Sequence, residues 1–158
     1  DAATKETTSI ALPNEEARVS TIKHHTDSTY YLTNYKEGEN PTTKLGVINS
    51  ETNEFTLVEL PAAYGSGVLV AADNIGYVQA ENGILYKIDL AKAQIVEEID
   101  ALQAFNLEEE KISLALVNNE VLIVVPNANT ILQVHGDHVH QVADLDVEPT
   151  SVLSVTAY

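Results

Sequence analysis

The sequence predicts an all-β fold made of β-propeller blades, and three observations lead there. Short β-branched and aromatic runs alternate with turn residues along most of the 158 positions. A strand–turn–strand pattern recurs with starts at Lys44, Ile84 and Ile131, which lie 40 and 47 residues apart. No stretch holds the apolar period of a long helix. The one candidate, residues 101–111, would give two or three turns at most and reads better as a loop with a helical turn.

Taken in order, residues 1–17 carry no apolar periodicity and are expected to form an arm or an edge strand. A first blade spans 18–60, and its second half runs from Lys44 through the polar turn at Asn49–Asn53 to Leu60. A second spans 67–99, where Val68–Ala72 and Ile75–Ala80 flank Asp73-Asn74, and residues 84–99 repeat the later strand pair. A third spans 111–145, with strands at 112–117 and 121–125 around Asn118-Asn119 and a last pair over 131–145. Asparagine at those turns is expected because it tolerates the positive φ of tight hairpins. Residues 152–158 read as the inner strand of a fourth blade, for about three and a half four-stranded blades in all.

Propellers close at about four to eight blades, and an open stack leaves an unpaired edge. Further chain, a second copy or a partner is therefore expected to complete the ring. An ordinary two-sheet sandwich is the alternative fold.

Eight Lys and Arg stand against 24 Asp and Glu, a formal charge of −16. Such a surface repels phosphate backbones and anionic headgroups, so nucleic acid and membrane insertion are not expected. No apolar run nears the roughly 18 residues that span a bilayer. The polar start Asp1-Ala2-Ala3-Thr4-Lys5, the acidity and the absence of cysteine together suggest export to the periplasm or the extracellular space. Zero cysteines also excludes disulfides and thiolate metal sites.

The chemistry concentrates in His135-Gly136-Asp137-His138-Val139-His140, which holds three of the five histidines. His138 and His140 are two apart, so in a strand both rings take one side, and a turn at Gly136-Asp137 can fold His135 back toward them. Imidazole with nearby carboxylate suits Zn²⁺, with Cu²⁺ and Ni²⁺ as competitors. Asp137, Asp144 or Asp27 could supply the carboxylate. His24 and His25 form a second candidate site or a further donor. By alignment of the repeats, His135–His140 is the turn between the third and fourth strands of its blade, and His24-His25 lies between the first and second strands of another. Both clusters are then expected on one face of the ring. The plain alternative is a solvated polar turn with no metal.

Those six residues, His-x-x-His-x-His, resemble the histidine-triad motif of streptococcal surface proteins, a likeness that implies zinc. The propeller repeat, the histidine clusters and the export-like start together resemble the periplasmic zinc chaperones of the AztD type, over about half of a normal propeller. That resemblance implies a propeller that carries zinc to the solute-binding component of an ABC importer.

Enzyme signatures are absent. There is no Gly-x-Ser-x-Gly elbow, Tyr64-Gly65-Ser66-Gly67 reads as a loop between blades, and no phosphate-cradling glycine motif occurs. The sequence thus predicts a non-enzymatic zinc-binding protein with His135, His138 and His140 as ligands, whose affinity falls with pH as protons compete for the imidazoles. A metal-free interaction propeller with an acidic surface is the alternative.

Overall fold

The structure, a computed structural model, describes residues 7–24, 28–38, 43–71, 74–107, 112–118 and 120–144. Sheet one is preceded by β1 (Ala17–Arg18) and begins with β2 (Ile22–His24) and β3 (Tyr30–Asn34). The short β4 (Lys36–Glu37) leaves that sheet to pair with β1, and β5 (Lys44–Asn49) and β6 (Glu54–Glu59) complete it. Sheet two holds β7 (Tyr64–Ala71), β8 (Ile75–Ala80), β9 (Leu85–Asp89) and β10 (Gln94–Ile99). Sheet three holds β11 (Ser113–Val117), β12 (Glu120–Val125), β13 (Thr130–His135) and β14 (His138–Asp144). Each of these three sheets is antiparallel with its four strands in chain order. The first strands, β2, β7 and β11, lie beside one another, as inner strands of propeller blades do.

Alternation along each strand decides what the sheets bury. Leu32, Leu45, Val47 and Val58 of sheet one meet Val78, Tyr86 and Ile88 of sheet two in one core. The opposite face of sheet two gives Tyr77 and Leu85 to a second core with Val121, Ile123, Leu132 and Val134 of sheet three. Sheet two is therefore covered on both faces. This is why β8 reads Ile75-Gly76-Tyr77-Val78-Gln79-Ala80 with almost no polar interruption.

The turns repeat as well. Asn74 and Asn118 adopt φ of 61° and 50° between the first and second strands of their blades, as the hairpins require. Between the third and fourth strands, Asn49 Oδ1 accepts the Glu51 and Thr52 amides at 2.9 and 3.2 Å, and Asp89 Oδ1 accepts the Lys92 amide at 3.0 Å. Lys92 also pairs with this carboxylate and holds Asp89 below the usual range. The same side-chain clamp thus shapes the same turn in two blades.

One sequence expectation changes in detail. Tyr64-Gly65-Ser66-Gly67 is not a loop but the start of β7, whose register against β8 shifts between Tyr64 and Val68. A glycine-rich strand tolerates such an irregularity, and the Tyr64 hydroxyl anchors this end by accepting the Tyr35 amide at 2.9 Å. Residues 101–107 form a loop with a 3-10 turn at Gln103–Phe105, as the sequence suggests, and residues 108–111 lie outside the described residues. Residues 152–158, read as a fourth blade, lie outside the described residues.

Tyr35 ties the β4 corner to sheet one. It is 1 % exposed, and its hydroxyl donates to Glu37 Oε1 at 2.6 Å. Burial first, then the Glu37 hydrogen bond and charge, push its phenol from the ordinary 10.0 up to about 12. The folded state keeps a proton that the unfolded chain releases earlier. This contribution is complete below the unfolded value near 10 and is lost as pH rises towards 12. In an alkaline titration followed by phenolate absorbance, Tyr35→Phe should remove the last-ionising group and flatten the fall in stability over that window. An unchanged high-pH phase would show that another tyrosine gives rise to it.

Candidate metal centre

The β13–β14 hairpin differs from its counterparts in turn length. His135 pairs directly with His138, leaving only Gly136 and Asp137 to make the turn, with Gly136 at φ 64°. Residues directly opposite in an antiparallel pair share a face, so His135 and His138 project to one side of sheet three. His140 sits opposite Gln133 and takes the same side. The register extends this set to β12, where Val121 faces Val134 and Glu120 therefore falls at the level of His135. This face is the one turned away from sheet two, since Val134, Leu132 and Val139 fill the other.

His135 is the best organised of the three. Its Nδ1 lies 2.6 Å from Glu120 Oε1, and the Gln133 amide donates to the other Glu120 oxygen. A carboxylate can only accept, so Nδ1 carries a proton, and in the neutral ring Nε2 then keeps the lone pair. His138 Nε2 lies 3.2 Å from Asp137 Oδ1. Asp137 in turn lies within electrostatic reach of Lys87 on β9, whose ammonium is held above its usual value first by the Glu97 hydrogen bond and in small part by Asp137. His135, His138 and His140 are all exposed.

His24 is spent differently. Its ring stacks on Tyr31 with centroids 4.2 Å apart and planes 18° apart, and Nε2 lies 2.6 Å from the Ser28 carbonyl. A carbonyl accepts only, so Nε2 is protonated there and Nδ1 is the nitrogen left for any ligand. His25 and Asp27 lie outside the described residues, and nothing is assigned to the Asp144 side chain. His24 belongs to sheet one and His135, His138 and His140 to sheet three, with sheet two packed between them.

Among the described residues, no group of three or more His, Asp or Glu side chains is gathered to hold a metal ion. The donor chemistry suits Zn²⁺, because His135 presents a lone-pair nitrogen with a carboxylate behind it and further imidazoles share its face. The sequence reading missed Glu120. It stands 15 residues from His135, and only strand register joins the two.

Three stacked four-stranded sheets with neighbouring inner strands define the β-propeller class. Two solved structures of AztD from Citrobacter koseri, one of them the apo form, are similar to this chain. Their TM-scores are 0.69 and 0.70 at 18% and 17% identity; each covers 91% of this chain, which spans 39% of theirs. Hydrazine synthase from Kuenenia stuttgartiensis also shares the fold, with a TM-score of 0.58 at 14% identity over 82% of this chain and 37% of its own. No family model matches the sequence, and no curated protein matches it. At such identities the likeness shows the fold, and a fold shared with an enzyme does not carry function. Among the described residues no helix is long and apolar enough to cross a membrane.

Proposed function

We propose that this chain forms part of an exported, non-enzymatic β-propeller that captures Zn²⁺ through His135, His138 and His140 and passes it to a protein partner. The observation that carries the reading is the Glu120–His135 contact, which leaves Nε2 as a ligand nitrogen on a face shared with His138 and His140. Asp137 beside His138 supplies a second carboxylate. Imidazoles that do not close a full cage suit a carrier, because open coordination positions let a recipient's ligands attack before the donor's release. The formal charge of −16 concentrates cations at the surface. The likeness to AztD supports a zinc role and, by extension, a recipient such as the solute-binding protein of a zinc importer in the periplasm. His24 and His25 are assigned to a weaker second site or a relay position.

Isothermal titration with Zn²⁺ at about pH 7.5, where imidazoles are mostly neutral, tests this. The parent should bind with submicromolar affinity, and the variant with His135, His138 and His140 all changed to Ala should lose that binding. Equal binding in both proteins, or none in either, would remove the triad from consideration. A second reading, a metal-free interaction propeller with an acidic docking surface, is favoured by the lack of a gathered three-donor group among the described residues. It expects no saturable Zn²⁺ heat.

A further inference from the structure

We infer that Glu120 is a positioning residue for His135: it holds the imidazole in the Nδ1–H tautomer and so makes Nε2 the nitrogen that meets a divalent cation. The inference deepens the zinc reading, and rests on it only for the effect on affinity. Three observations support it. Strand register sets Glu120 of β12 at the level of His135 of β13, so the contact is built into the sheet rather than found by a loose surface side chain. The separation from Nδ1 to Oε1 is 2.6 Å, the short distance of a charge-assisted hydrogen bond. The second carboxylate oxygen accepts the Gln133 amide, so both Glu120 oxygens have partners.

Burial separates the two roles. The Glu120 side chain keeps 33% of its exposure and His135 keeps 71%, so the carboxylate is the more enclosed member and the ring the more open one. A free imidazole favours the proton on Nε2, which would place a hydrogen where a metal must bind. Histidines that bind metals generally donate their other ring N–H to a carboxylate or carbonyl, and loss of that partner costs about 10–100-fold in affinity. Among the described residues, the titratable and charged neighbours of this hairpin are Asp137, His138, His140 and, from β9, Lys87. The partner of His135 Nδ1 is Glu120.

The test reads the tautomer directly. Long-range ¹H–¹⁵N correlation spectra of the metal-free full chain at about pH 8, where imidazoles are neutral, report which ring nitrogen carries the proton. His135 is assigned by its absence in His135→Gln. The parent should show the Nδ1–H form, Glu120→Ala the Nε2–H form, and Glu120→Gln, whose amide oxygen still accepts, the parent form. Zn²⁺ titration should then weaken by about 10–100-fold in Glu120→Ala and by less in Glu120→Gln. An Nε2–H signal in the parent, or a tautomer that Glu120→Ala leaves unchanged, overturns the inference. If the tautomer pattern holds and Zn²⁺ fails to bind the parent, the role of Glu120 stands and the zinc reading falls.

Discussion

Ile88→Ala should destabilise the fold by about 2–5 kcal/mol, read as a lower denaturation midpoint at unchanged slope. Ile88 is 0% exposed and sits in the core that joins sheet one to sheet two, among Leu32, Leu45 and Val47 on one side, Tyr86 on its own strand and Leu90 just past that strand's end. Truncation removes three carbons from a site where two stiff sheets limit collapse. The cavity term therefore adds to the lost transfer energy. Ile88→Val should cost only about 0.5–1.5 kcal/mol. Val96→Ala, at a position 51% exposed on the outer strand of the same sheet, should stay within about 0.5 kcal/mol of the parent. If Ile88→Ala behaved like Val96→Ala, the two sheets could not share a continuous core.

Gly46→Ala should cost about 1–3 kcal/mol, although alanine suits a strand better than glycine. A Cβ at Gly46 would lie 2.5 Å from Phe55 Cζ, 2.6 Å from its Cε2 and 2.7 Å from Thr33 Cγ2. Neither neighbour is free to leave. Phe55 packs against Tyr35 with centroids 5.8 Å apart, and Thr33 is 0% exposed with its hydroxyl bonded to the Thr21 carbonyl. Thermal unfolding of Gly46→Ala beside Gly46→Ala/Phe55→Leu checks the mechanism. The double variant should recover part of the loss, because the smaller side chain vacates the space. A single variant as stable as the parent would show that the ring moves aside at no cost.

Much of this architecture was legible because its signals are local. Alternation in β5 and β9, the asparagines at 74 and 118, and the repeat of the later strand pair each act within a few residues. They lead to the same stacked sheets. The start of β7 was not legible. Tyr64-Gly65-Ser66-Gly67 has loop composition, and what makes it a strand is pairing with β8 and the Tyr35 amide held by Tyr64, 29 residues away.

The candidate site divides along the same line. Three histidines in six positions announce themselves, and their shared face follows from a two-residue turn. Glu120 does not, because an isolated glutamate beside a turn is ordinary. One signal could have found it: taking Val125 and Thr130 as the ends of a hairpin and counting outward pairs Glu120 with His135. That count needs the hairpin register, which composition alone leaves open.

The hairpin's outward side has a consequence for assembly. Glu120, His135, His138 and His140 occupy the side of sheet three opposite the one that packs on sheet two. A blade continuing the ring would lie against that side, so on the proposed zinc reading its arrival and the capture of a cation would involve the same atoms. Thermodynamic reciprocity would then apply: whatever factor the arriving blade changed in cation affinity, the cation would change in closure of the ring. The charge state of one hairpin would in that case report whether the propeller is shut.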